Sequence, residues 1–498
     1  MPCTTILVGK NASYDGSTMI ARNDDSGAGA YTAKKFVIVH PKDQPETYTT
    51  KISHLTMTLP DNPLRYSCVP NADIEKEGIW AASGINACNV AMTATETITS
   101  NPRVLGADPL VKYEKETKTK PRKIGGLGEE DLVTVTLPYI RSAREGVERL
   151  GALLAKYGTY ESNGIAFSDV NEIWWLETIG GHHWIAKRVP DEGVVIMPNQ
   201  LGIDNFDLRD ALTTKKNHMC SEDLERFMKH NHLDLSLNKK LNPRDTFGSN
   251  ADSDHVYNTP RAWFMGRYLN PTAFKWDGPD ADFHPESDNI PWCFTPERKI
   301  TPEDVKYLLS SHFQGTPYDP YGSYGDPALR GKYRSIGINR NDFLALLQLR
   351  PYAPEDSMAI QWLAFASNAF NALVPFYANV NETPEYLSNT TEDASTDNFY
   401  WSNRLIAALA DASYKKSVTH VERYEKELMS KGHELIAKGD KELKKTAYRE
   451  DLEKAMNLRE KANHKIAETA KTMTQNLLNK VLYEASNQMK NAYARSDN

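Results

Sequence analysis

The chain is poor in cysteine, and this scarcity excludes two common kinds of protein. Its 498 residues include five cysteines, which are widely separated and form no C-x-x-C pair. Disulfide-stabilised domains and thiolate zinc sites need closely and regularly spaced cysteines. We therefore expect neither, and most of these thiols are predicted to be buried packing residues. The five are Cys3, Cys68, Cys88, Cys220 and Cys293.

An excess of positive charge and a long apolar segment are also missing. The formal net charge is -7 at pH 7 and the pI is about 6.1, so neither nucleic acid nor an anionic membrane is expected as a partner. No segment approaches the run of about 18 apolar residues that a membrane-spanning helix needs. The N-terminal stretch lacks the charged and apolar regions of a secretion signal. The sequence therefore predicts a cytoplasmic location.

Familiar cofactor and hydrolase motifs are absent as well. The chain contains no G-x-x-x-x-G-K-[ST], no G-x-G-x-x-G that opens a helix, no H-E-x-x-H and no G-x-S-x-G. Nucleotide, zincin and nucleophile-elbow chemistry therefore lack support. Adjacent His182 and His183 are expected to point to opposite faces of a strand, which does not suit a shared metal. The sequence predicts no cofactor and no metal.

What the chain does have is a β-rich first half. Short apolar runs between Gly, Asn, Asp and Pro turn signals predict strands, and "EEDLVTVTLPYIRSAREGVERLGALLAKYG" predicts two helices that end at Gly158. Strands, paired helices and further strands predict an α+β core with packed sheets and outer helices. The predicted strands are Cys3–Val8, Thr18–Asn23, Lys35–His40, Lys51–Leu59, Gly78–Ala82, Val90–Thr95, Glu172–Glu177, His183–Arg188, Phe343–Gln348 and Ala359–Phe365.

The second half of the sequence changes character twice. Residues from about 204 to 340 are irregular and dense in Asn, Asp, Pro and aromatic residues, which is typical of long loops over a core. From Lys415 the chain is charged, with apolar residues at helical steps. We expect a catalytic domain over residues 3–400 and a helical C-terminal extension over residues 401–498. The charged face of the extension is predicted to be solvated, with self-association into a homo-oligomer as the alternative.

The chain opens with "MPCTTILVGKNASYDGSTMIARNDDSG", in which Cys3 stands one step inside a Met-Pro leader. Removal of Met1-Pro2 would free the α-amine of Cys3, whose ordinary pKa is near ~7.7–8.0, while that of a thiol is near ~8.5. One residue would then supply both a nucleophile and a general base, as in other nucleophiles activated by an N-terminal amine. A strand that begins at Cys3 would hold this terminus in place.

Arg22 and Asp25 are the candidate partners of Cys3. A turn at Asp15-Gly16 predicts a hairpin, whose length returns Arg22 to the level of Cys3. A guanidinium there would favour the thiolate, and Asp25 would bind or orient the amine. The pattern alone leaves a second interpretation open, in which Cys3 is a small apolar strand residue and Arg22 forms a surface ion pair with Asp25.

A resemblance to a known family favours the first interpretation. "CTTILVGKNASYDGSTMIARNDDS" resembles the opening of the cysteine-type dipeptidase A family of lactic acid bacteria. The likeness continues through "GINACNVAMTATETI", "VVIMPNQLGI", "HVYNTPRAWFMGRYLNP", "HFQGTPYDPYG" and "LRPYAPEDSMAIQWLAFASNAFNALVPFYAN". That family belongs to the N-terminal nucleophile hydrolase superfamily, with penicillin V acylase and bile salt hydrolase. The resemblance implies a four-layer αββα sandwich in which the nucleophile begins an inner strand.

The resemblance also implies roles for residues that match the motifs. Cys3 is the implied nucleophile, Arg22 the arginine beside the thiolate, and Asp25 the aspartate that contacts the new amine. Asn199 in "MPNQ" matches an asparagine that helps to form the oxyanion hole in the related acylases. For Asn199 the alternative is an ordinary hydrogen-bonded polar residue.

Two further residues are candidates for binding the charged ends of a substrate. Where the related acylases carry an asparagine, this chain has Glu96, which departs from their oxyanion role and suits the α-ammonium of a dipeptide. Arg334 in "GKYRSI" matches a later active-site arginine and suits the substrate carboxylate. For both, the alternative is again a hydrogen-bonded loop or strand residue.

Together these residues predict a dipeptidase of broad specificity whose partners are dipeptide substrates. The thiolate of Cys3, assisted by its own α-amine, would attack the scissile carbonyl and form a thioester that water hydrolyses. The mechanism requires that the Pro2–Cys3 bond be cut, and autocatalytic attack by the thiol resembles what the superfamily does. Two alternatives stay open: an acylase of the penicillin or bile-salt type, and a secernin-like interaction protein without catalysis.

Overall fold

Two antiparallel sheets form the centre of the protein. The computed structural model describes residues 3–237, 240–445 and 451–489. The first sheet has seven strands, which follow one another in space as β14 (Cys293–Phe294), β12 (Val194–Met197), β1 (Thr4–Val8), β2 (Thr18–Asp25), β15 (Asn341–Leu349), β16 (Ala359–Phe365) and β17 (Val374–Tyr377).

The second large sheet has six strands and is accompanied by two small two-stranded sheets. Its spatial order is β13 (His218–Cys220), β11 (His183–Arg188), β10 (Ile173–Ile179), β9 (Asn163–Ser168), β8 (Ala91–Thr97) and β7 (Ser83–Ile85). The small sheets pair β3 (Val37–Val39) with β6 (Tyr66–Cys68), and β4 (Thr47–Thr49) with β5 (Thr56–Thr58).

The two large sheets pack face to face through apolar side chains. Strand β2 contacts β8 and β9 across the interface, and Leu7, Ile20, Trp175 and Leu347 belong to one buried cluster there. Side chains alternate along a strand, so the next residue of β1, Ile6, joins a different cluster that includes helices. Each sheet therefore has an inner face, toward the other sheet, and an outer face.

Helices cover both outer faces. On the six-stranded sheet lie α3 (Glu129–Thr136) and α4 (Ala143–Tyr157), and on the seven-stranded sheet lie α9 (Thr259–Leu269), α10 (Pro302–Leu309), α12 (Phe399–Ala412), α13 (Tyr414–Lys445) and α14 (Leu452–Ser486). The predicted four-layer αββα sandwich is confirmed. The short helices are α1 (Ile74–Glu77), α2 (Pro102–Ala107), α5 (Leu208–Leu212), α6 (Leu224–His230), α7 (Pro243–Phe247), α8 (Asp254–Tyr257) and α11 (Glu385–Ser388).

The paired helices α3 and α4 agree with the sequence prediction, and local chemistry explains the bounds of α4. The Ser142 side chain caps α4 by accepting a hydrogen bond from the backbone N–H of Glu145. The helix ends at Gly158, whose φ of 69° is accessible to glycine at little cost. Its apolar stripe, which includes Val147 and Leu150, is buried against the sheet.

The C-terminal helices α13 and α14 pack on the edge of the seven-stranded sheet. Asn463 of α14 accepts from the backbone N–H of Tyr377 at 2.9 Å and donates to its carbonyl oxygen at 2.9 Å. The exposed edge of β17 is thereby occupied by a side chain, which prevents further strand pairing there. Across the parts of the chain that the structure describes, no helix has both the length and the apolarity to cross a membrane.

Two predicted strands are wrong. Lys51–Leu59 was expected to be one strand, but the chain turns within it, so that β4 and β5 pair on either side of the turn. Gly78–Ala82 lies between α1 and β7, and Trp80 and Ala82 adopt φ values of 49° and 57°. A left-handed backbone is incompatible with an extended strand, and an apolar run alone does not reveal it.

The adjacent histidines also behave differently from the expectation for neighbours on a strand. His182 precedes β11, which begins at His183. Both rings therefore reach the same carboxylate: Nδ1 of His182 lies 2.8 Å and Nδ1 of His183 lies 2.7 Å from Asp108. The two histidines thus share the Asp108 carboxylate, which links the turn before β11 to the segment that precedes α3.

Candidate active site

Cys3 precedes β1 and lies between strands from distant parts of the chain. The antiparallel pairing of β1 with β2 sets Thr5 opposite Arg22, and β1 also pairs with β12. When both registers are continued toward the N-terminus, Cys3 is level with Asp24 on one side and Asn199 on the other. Because side chains alternate, the thiol faces the interface between the two sheets.

Arg22 joins the thiol to two carboxylates. Its Nη2 donates to Sγ of Cys3 at 2.8 Å, to Oδ1 of Asp24 at 2.7 Å and to Oε1 of Glu129 at 3.2 Å. Nε donates to the carbonyl oxygen of Asn23 at 3.0 Å. Cys3, Arg22 and Asp24 are fully buried. A guanidinium in contact with sulfur stabilises the thiolate, which is the nucleophilic form of cysteine.

Asp24 also forms an ion pair with a second cation, Lys34. Nζ of Lys34 lies 2.9 Å from Oδ2 of Asp24 and donates to the carbonyl oxygen of Trp80 at 3.3 Å. Burial alone would raise the pKa of Asp24, but Lys34 and Arg22 together lower it below its ordinary value. Asp24 is therefore ionised at neutral pH and holds the Arg22 guanidinium beside the thiol.

The first turn of α3 brings further carboxyl groups to the same place. Glu129, Glu130 and Asp131 begin the helix and are buried, in a position that the helix dipole favours for negative charge. The hydroxyl of Tyr160 donates to Glu130 at 2.5 Å, and that of Tyr48 donates to Asp131 at 2.6 Å. Burial raises the pKa of Glu130 to about 8, with the charge of Asp131 as the second cause. Burial also raises the pKa of Asp131 to about 6.

Glu161 is the fourth acid of this group. Its Oε1 accepts a hydrogen bond from the backbone N–H of Glu129 at 2.7 Å. Burial, followed by the charge of Glu129, raises the pKa of Glu161 to about 7. The residues Glu129, Glu130, Asp131 and Glu161 are hereafter called the acidic turn. They place four carboxyl groups around the start of one helix, next to the Arg22 guanidinium.

Arg261 fixes the backbone of Cys3 and the side chain of Asn199. It lies in the first turn of α9 and is fully buried. Nη1 donates to the carbonyl oxygen of Cys3, and Nη2 donates to Oδ1 of Asn199 at 2.7 Å and to Oδ1 of Asn258 at 2.8 Å. Nδ2 of Asn199 donates to the carbonyl oxygen of Thr97 at 3.0 Å. The Asn199 amide is thus oriented with its oxygen toward Arg261.

Asp25 and Arg334 form a buried ion pair beyond the thiol. Asp25 accepts from Nη2 of Arg334 and from Nδ2 of Asn341. The guanidinium of Arg334 lies 5.3 Å from the centre of the Tyr257 ring, and that of Arg261 lies 5.1 Å from the same ring. Because side chains alternate along β2, Asp25 is directed to the opposite face from Arg22. Arg334 also lines a cavity of about 530 Å³.

Comparison with known proteins decides the family. The profile of peptidase family C69 matches residues 2–427. The chain belongs to peptidase family C69. The predicted resemblance and the predicted class of enzyme, a cysteine-type peptidase, are confirmed by this match.

The similarity of this C69 peptidase to its relatives extends along the whole chain. It is 54% identical to the dipeptidase of Bifidobacterium longum and 52% identical to a probable dipeptidase A of Streptococcus pyogenes, with 100% of both chains covered in each case. It is 43% identical to dipeptidase A of Lactobacillus helveticus, over 97% of this chain and 96% of that one. A solved mutant of conjugated bile acid hydrolase from Clostridium perfringens matches with 9% identity and a TM-score of 0.33, over 76% of this chain and 96% of that one. A likeness of that strength adds nothing to the fold described above.

Two predicted features of the site, the Met1-Pro2 leader and the Glu96 side chain, lie outside the part of the C69 peptidase that the structure describes. Met1 and Pro2 precede the described residues, so the predicted leader has no structural account. Glu96 lies in β8, where its backbone pairs with Gly164, and its side chain is outside the described part. The proposed roles of the leader and of Glu96 stay predictions.

Four buried residues of the site were not singled out from the sequence: Asp24, Lys34, Glu129 and Arg261. Asp24 stands inside the "RNDD" cluster and Glu129 in the acidic first turn of a predicted helix, so each had a local signal. Arg261 stands in "NTPRAW", within one of the segments of family likeness. Its contact with Cys3 spans 258 residues, and no local pattern predicts such a contact.

The ligand geometry around the thiol also bears on metal binding. Within the described ranges, Cys3, Asp24 and Glu129 form a group whose ligand atoms lie within 4.8 Å of one another. Nη2 of Arg22 donates to all three. The guanidinium therefore supplies the positive charge that a metal ion would otherwise bring to this group.

Proposed function

We propose that this C69 peptidase hydrolyses dipeptides of varied side chains, with Cys3 as nucleophile and its α-amine as general base. The observation that carries the proposal is the 2.8 Å contact between Nη2 of Arg22 and Sγ of Cys3. Relatives of 43% to 54% identity whose names state dipeptidase support the choice of substrate. A packing cysteine has no need of a buried guanidinium, whereas a nucleophile does.

The reaction proceeds through a thioester. The thiol gives its proton to the α-amine, and sulfur bonds to the scissile carbonyl carbon while the carbonyl electron pair moves to oxygen. The C–N bond then breaks, and the leaving amine takes the proton from the α-ammonium. Water gives a proton to the α-amine while its oxygen bonds to the thioester carbonyl carbon. The C–S bond then breaks, sulfur takes the proton back from the α-ammonium, and the first amino acid is released.

Each remaining site residue has a proposed part in these steps. Arg22 stabilises the thiolate, and Asp25 binds the new α-amine. Asn199 donates to the oxyanion from Nδ2, because Arg261 holds its oxygen. A single oxyanion-hole donor contributes about 3 kcal/mol to transition-state stabilisation.

The two charged ends of the dipeptide are assigned to Glu96 and Arg334. Glu96 is the sequence-based candidate for the α-ammonium, and Arg334 is the candidate for the carboxylate. Arg334 is supported by its place on the wall of the 530 Å³ cavity, where its charge would be shared between the substrate carboxylate and Asp25. Binding both ends would limit the enzyme to peptides of two residues.

We propose that removal of Met1-Pro2 is autocatalytic. The thiol of Cys3 attacks the carbonyl carbon of Pro2, the peptide C–N bond breaks, and the α-amine of Cys3 is freed as the acyl group moves to sulfur. Water then hydrolyses the thioester and releases Met-Pro. The same sulfur and the same class of oxyanion serve both this step and substrate hydrolysis.

The division of the chain and its location complete the proposal. Residues 3–400 hold the residues assigned to catalysis, and residues 401–498 support the sheet edge through α14, with self-association of the charged helices as an additional role.

A cytoplasmic location is supported by the five cysteines, all of which are free, because a reducing compartment keeps thiols reduced. Dipeptides are the expected partners, rather than nucleic acid or membrane.

The experiment combines a dipeptide panel with determination of the N-terminus. Wild type and Cys3→Ala are assayed for release of free amino acids, with Cys68→Ala as a control for loss of a buried thiol. Intact mass and N-terminal sequencing show whether Cys3 is the first residue of the active protein. We expect hydrolysis by wild type and Cys68→Ala, none by Cys3→Ala, and an N-terminal cysteine.

Two results would contradict the proposal. Undiminished turnover by Cys3→Ala would exclude Cys3 as the nucleophile. Hydrolysis by a protein that keeps Pro2 would exclude the α-amine as general base, since the amine would still be part of a peptide bond.

A further inference from the structure

The 530 Å³ cavity that Arg334 lines has the size of a binding site for a small molecule. Such sites in proteins typically measure about 300–1,000 Å³. The walls come from parts of residues 312–339 and 367–370, from α12 and from the segment that follows β2. Tyrosine and phenylalanine side chains form much of these walls: Tyr31, Tyr321, Tyr333 and Phe370.

Arg404 of α12 is the cation at one end of this cavity. Its Nη1 donates to the carbonyl oxygen of Asn339 at 2.6 Å, and its Nη2 donates to that of Asn341 at 2.8 Å. The guanidinium carbon lies 4.7 Å from the ring centre of Tyr31 and 5.4 Å from that of Tyr400. These contacts hold the planar guanidinium in one orientation, and the side chain stays 12% exposed.

The carboxyl group beside Arg404 does not balance its charge. Oδ1 of Asp342 lies 3.5 Å from Nη2 of Arg404. The same carboxyl accepts from the hydroxyl of Ser26 at 2.6 Å and from the backbone N–H of Thr32 at 2.8 Å. Burial, followed by the charge of Asp24, raises the pKa of Asp342 to about 8, so this carboxyl is mostly protonated at pH 7. Within the described ranges Arg404 forms no other ion pair, and its Nε is buried without an acceptor.

The carboxylate that lines the cavity lies at the opposite end. Asp411 follows Arg404 by seven residues on α12, which sets their backbones about 10 Å apart along the helix. The hydroxyl of Tyr321 donates to Asp411. His312 lies on the same wall, with its Nδ1 2.8 Å from the carboxylate of Asp319. An anion that enters the cavity is therefore attracted toward Arg404.

The end of the cavity at Arg404 lies within reach of the thiol. Strands β1, β2 and β15 are neighbours in the sheet, and Asn341 of β15 pairs with Asp25 of β2. Because adjacent strands lie about 4.8 Å apart, the backbone of Asn341 is roughly 10 Å from that of Cys3. The side chain of Asn341 donates to Asp25, which also accepts from Arg334. Hydrogen bonds thus connect the strand beside Cys3 to both arginines of the cavity wall.

A glutamate in the second position of a dipeptide spans this distance. Five bonds of about 1.3–1.5 Å separate the scissile carbonyl carbon from the side-chain carboxyl carbon, which is about 6 Å when extended. Sulfur approaches the scissile carbon to about 3–3.5 Å, and a charge-assisted hydrogen bond measures about 2.8 Å. Thiol and guanidinium can therefore be about 12–13 Å apart when both contact the substrate. An aspartate side chain is one bond shorter.

We propose that this cavity binds the side chain of the residue after the scissile bond, and that Arg404 favours a glutamate there. The inference rests on the proposed dipeptidase function and names a preferred substrate class, dipeptides with an acidic second residue. Arg334, on the same wall, keeps its proposed place at the α-carboxylate of that residue. Neutral side chains would contact the aromatic walls without an ion pair, which is compatible with a broad specificity.

The experiment compares dipeptides of the same shape that differ in one charge. kcat/KM is measured for alanyl-glutamate and alanyl-glutamine, and for alanyl-aspartate to test the effect of length. Wild type is compared with Arg404→Gln and Arg404→Lys. Arg188→Gln removes a half-buried arginine that does not line the cavity and is the matched control. The ratio of the kcat/KM values for alanyl-glutamate and alanyl-glutamine is decisive, because a loss of folded protein lowers both equally.

We expect a preference that depends on the guanidinium. Wild type should hydrolyse alanyl-glutamate about tenfold more efficiently than alanyl-glutamine, as for one hydrogen bond between charged groups, with alanyl-aspartate between them. Arg404→Gln should bring the ratio to about one, mainly through a lower kcat/KM for alanyl-glutamate. Arg404→Lys should keep part of the preference because it keeps the charge, and Arg188→Gln should keep the wild-type ratio.

Three results would overturn the inference. A wild type without preference for alanyl-glutamate would show that no cation binds the second side chain. A full preference in Arg404→Gln would assign that cation elsewhere, and equal losses for both dipeptides would give Arg404 a structural role only. If Arg404→Gln does not fold, the ratios of wild type and Arg404→Lys decide in the same way. If wild type hydrolyses none of the dipeptides, the proposed function itself fails, which is a separate result.

Discussion

The strands β1 and β2 are apolar at one end and charged at the other, on the same inner face of the sheet. At one end Leu7 lies opposite Ile20, and both are buried between the sheets. At the other end Cys3 meets Arg22 and Asp24, and these three are buried to the same degree. One pair of strands thus has a buried apolar end and a buried charged end.

The two ends differ in what their burial does to stability. Full burial of a leucine or isoleucine side chain stabilises a protein by about 1.5–3 kcal/mol. Buried ion pairs are often no better for stability than apolar residues of similar volume, because desolvation offsets the attraction. The charged residues at this end are therefore explained by the reaction of the thiol and not by a gain in stability. A thiol in the apolar end would be held in its neutral form.

The largest effect should come from removing the cation of the charged end. Arg22→Gln leaves Glu129 and the thiolate without their shared donor, so we expect turnover to be lost and the unfolding free energy to fall by about 3–5 kcal/mol. Arg22→Lys keeps the charge but loses the planar guanidinium, in which Nη2 contacts three acceptors while Nε bonds the carbonyl oxygen of Asn23. This variant should recover stability more than activity. Dipeptide turnover and urea denaturation measure both quantities.

A half-buried arginine elsewhere gives the comparison for Arg22. Arg188 in β11 pairs with Glu172 and Asp191, and its side chain is 23% exposed. Arg188→Gln should cost less than about 1 kcal/mol and leave turnover intact. Equal losses in the two variants would mean that Arg22 has only a structural role.

The next effect concerns the donor beside the thiol. Asn199→Ala removes the amide that Arg261 orients, and we expect kcat to fall about 100- to 1000-fold with little change in KM. The exposed Asn217, outside the site, serves as a control through Asn217→Ala. An unchanged kcat in Asn199→Ala would assign the oxyanion to other donors.

A smaller effect on catalysis is expected at the apolar end. Leu7→Ala leaves a cavity between the sheets and should lower the unfolding free energy by about 2–5 kcal/mol. Its kcat at a temperature where the protein is folded should stay within a few-fold of wild type, since Leu7 lies four residues along the strand from Cys3. A kcat as low as that of Arg22→Gln would remove the distinction between the two ends.

The smallest effect is a change in pH dependence at the acidic turn. The pKa of Glu130 is raised to about 8 in the folded protein, against about 4.3 when unfolded. Between these values the folded state holds a proton that the unfolded state has released, so stability falls as pH rises through this window.

Glu130→Gln removes that proton exchange. Its unfolding free energy, relative to wild type, should rise by up to about 1.4 kcal/mol per pH unit between pH 5 and pH 8. Urea denaturation at pH 5.5, 6.5 and 7.5 measures the slope. Asp131 and Glu161 keep their own raised pKa values, so part of the wild-type slope remains. Parallel curves for the two proteins would contradict the assignment.

Local pattern was enough to predict the hairpin that carries the site. The predicted contact is observed, since Nη2 of Arg22 does contact Sγ of Cys3. The predicted turn at Asp15-Gly16 is wrong in position: the connection runs over residues 9–17, and the pairing of Val8 with Met19 centres it two residues earlier. Strands with clear apolar runs, such as His183–Arg188 and Ala359–Phe365, have the predicted bounds. Periodicity and turn residues are properties of a few neighbouring positions, which a sequence displays directly.

Contacts between distant segments could not be predicted in the same way. Arg22 meets Glu129 across 107 positions, and Arg261 meets Cys3 across 258. Such pairs depend on how the sheets and helices pack, and the spacing of residues along the chain does not predict this packing. Packed sheets with outer helices were predicted from the residue pattern, but the four-layer αββα order and the role of Asn199 were expected only from the family resemblance.

The strand order has a consequence in time. Cys3 leaves the ribosome before the strands that flank its hairpin, since β12, beside β1, ends at Met197 and β15, beside β2, ends at Leu349. At roughly 5–20 residues per second, synthesis of this much chain takes about 20–70 s. The sheet order therefore acts as a delay, during which the growing chain carries Cys3 and Arg22 before Asn199 and Arg261 have been added.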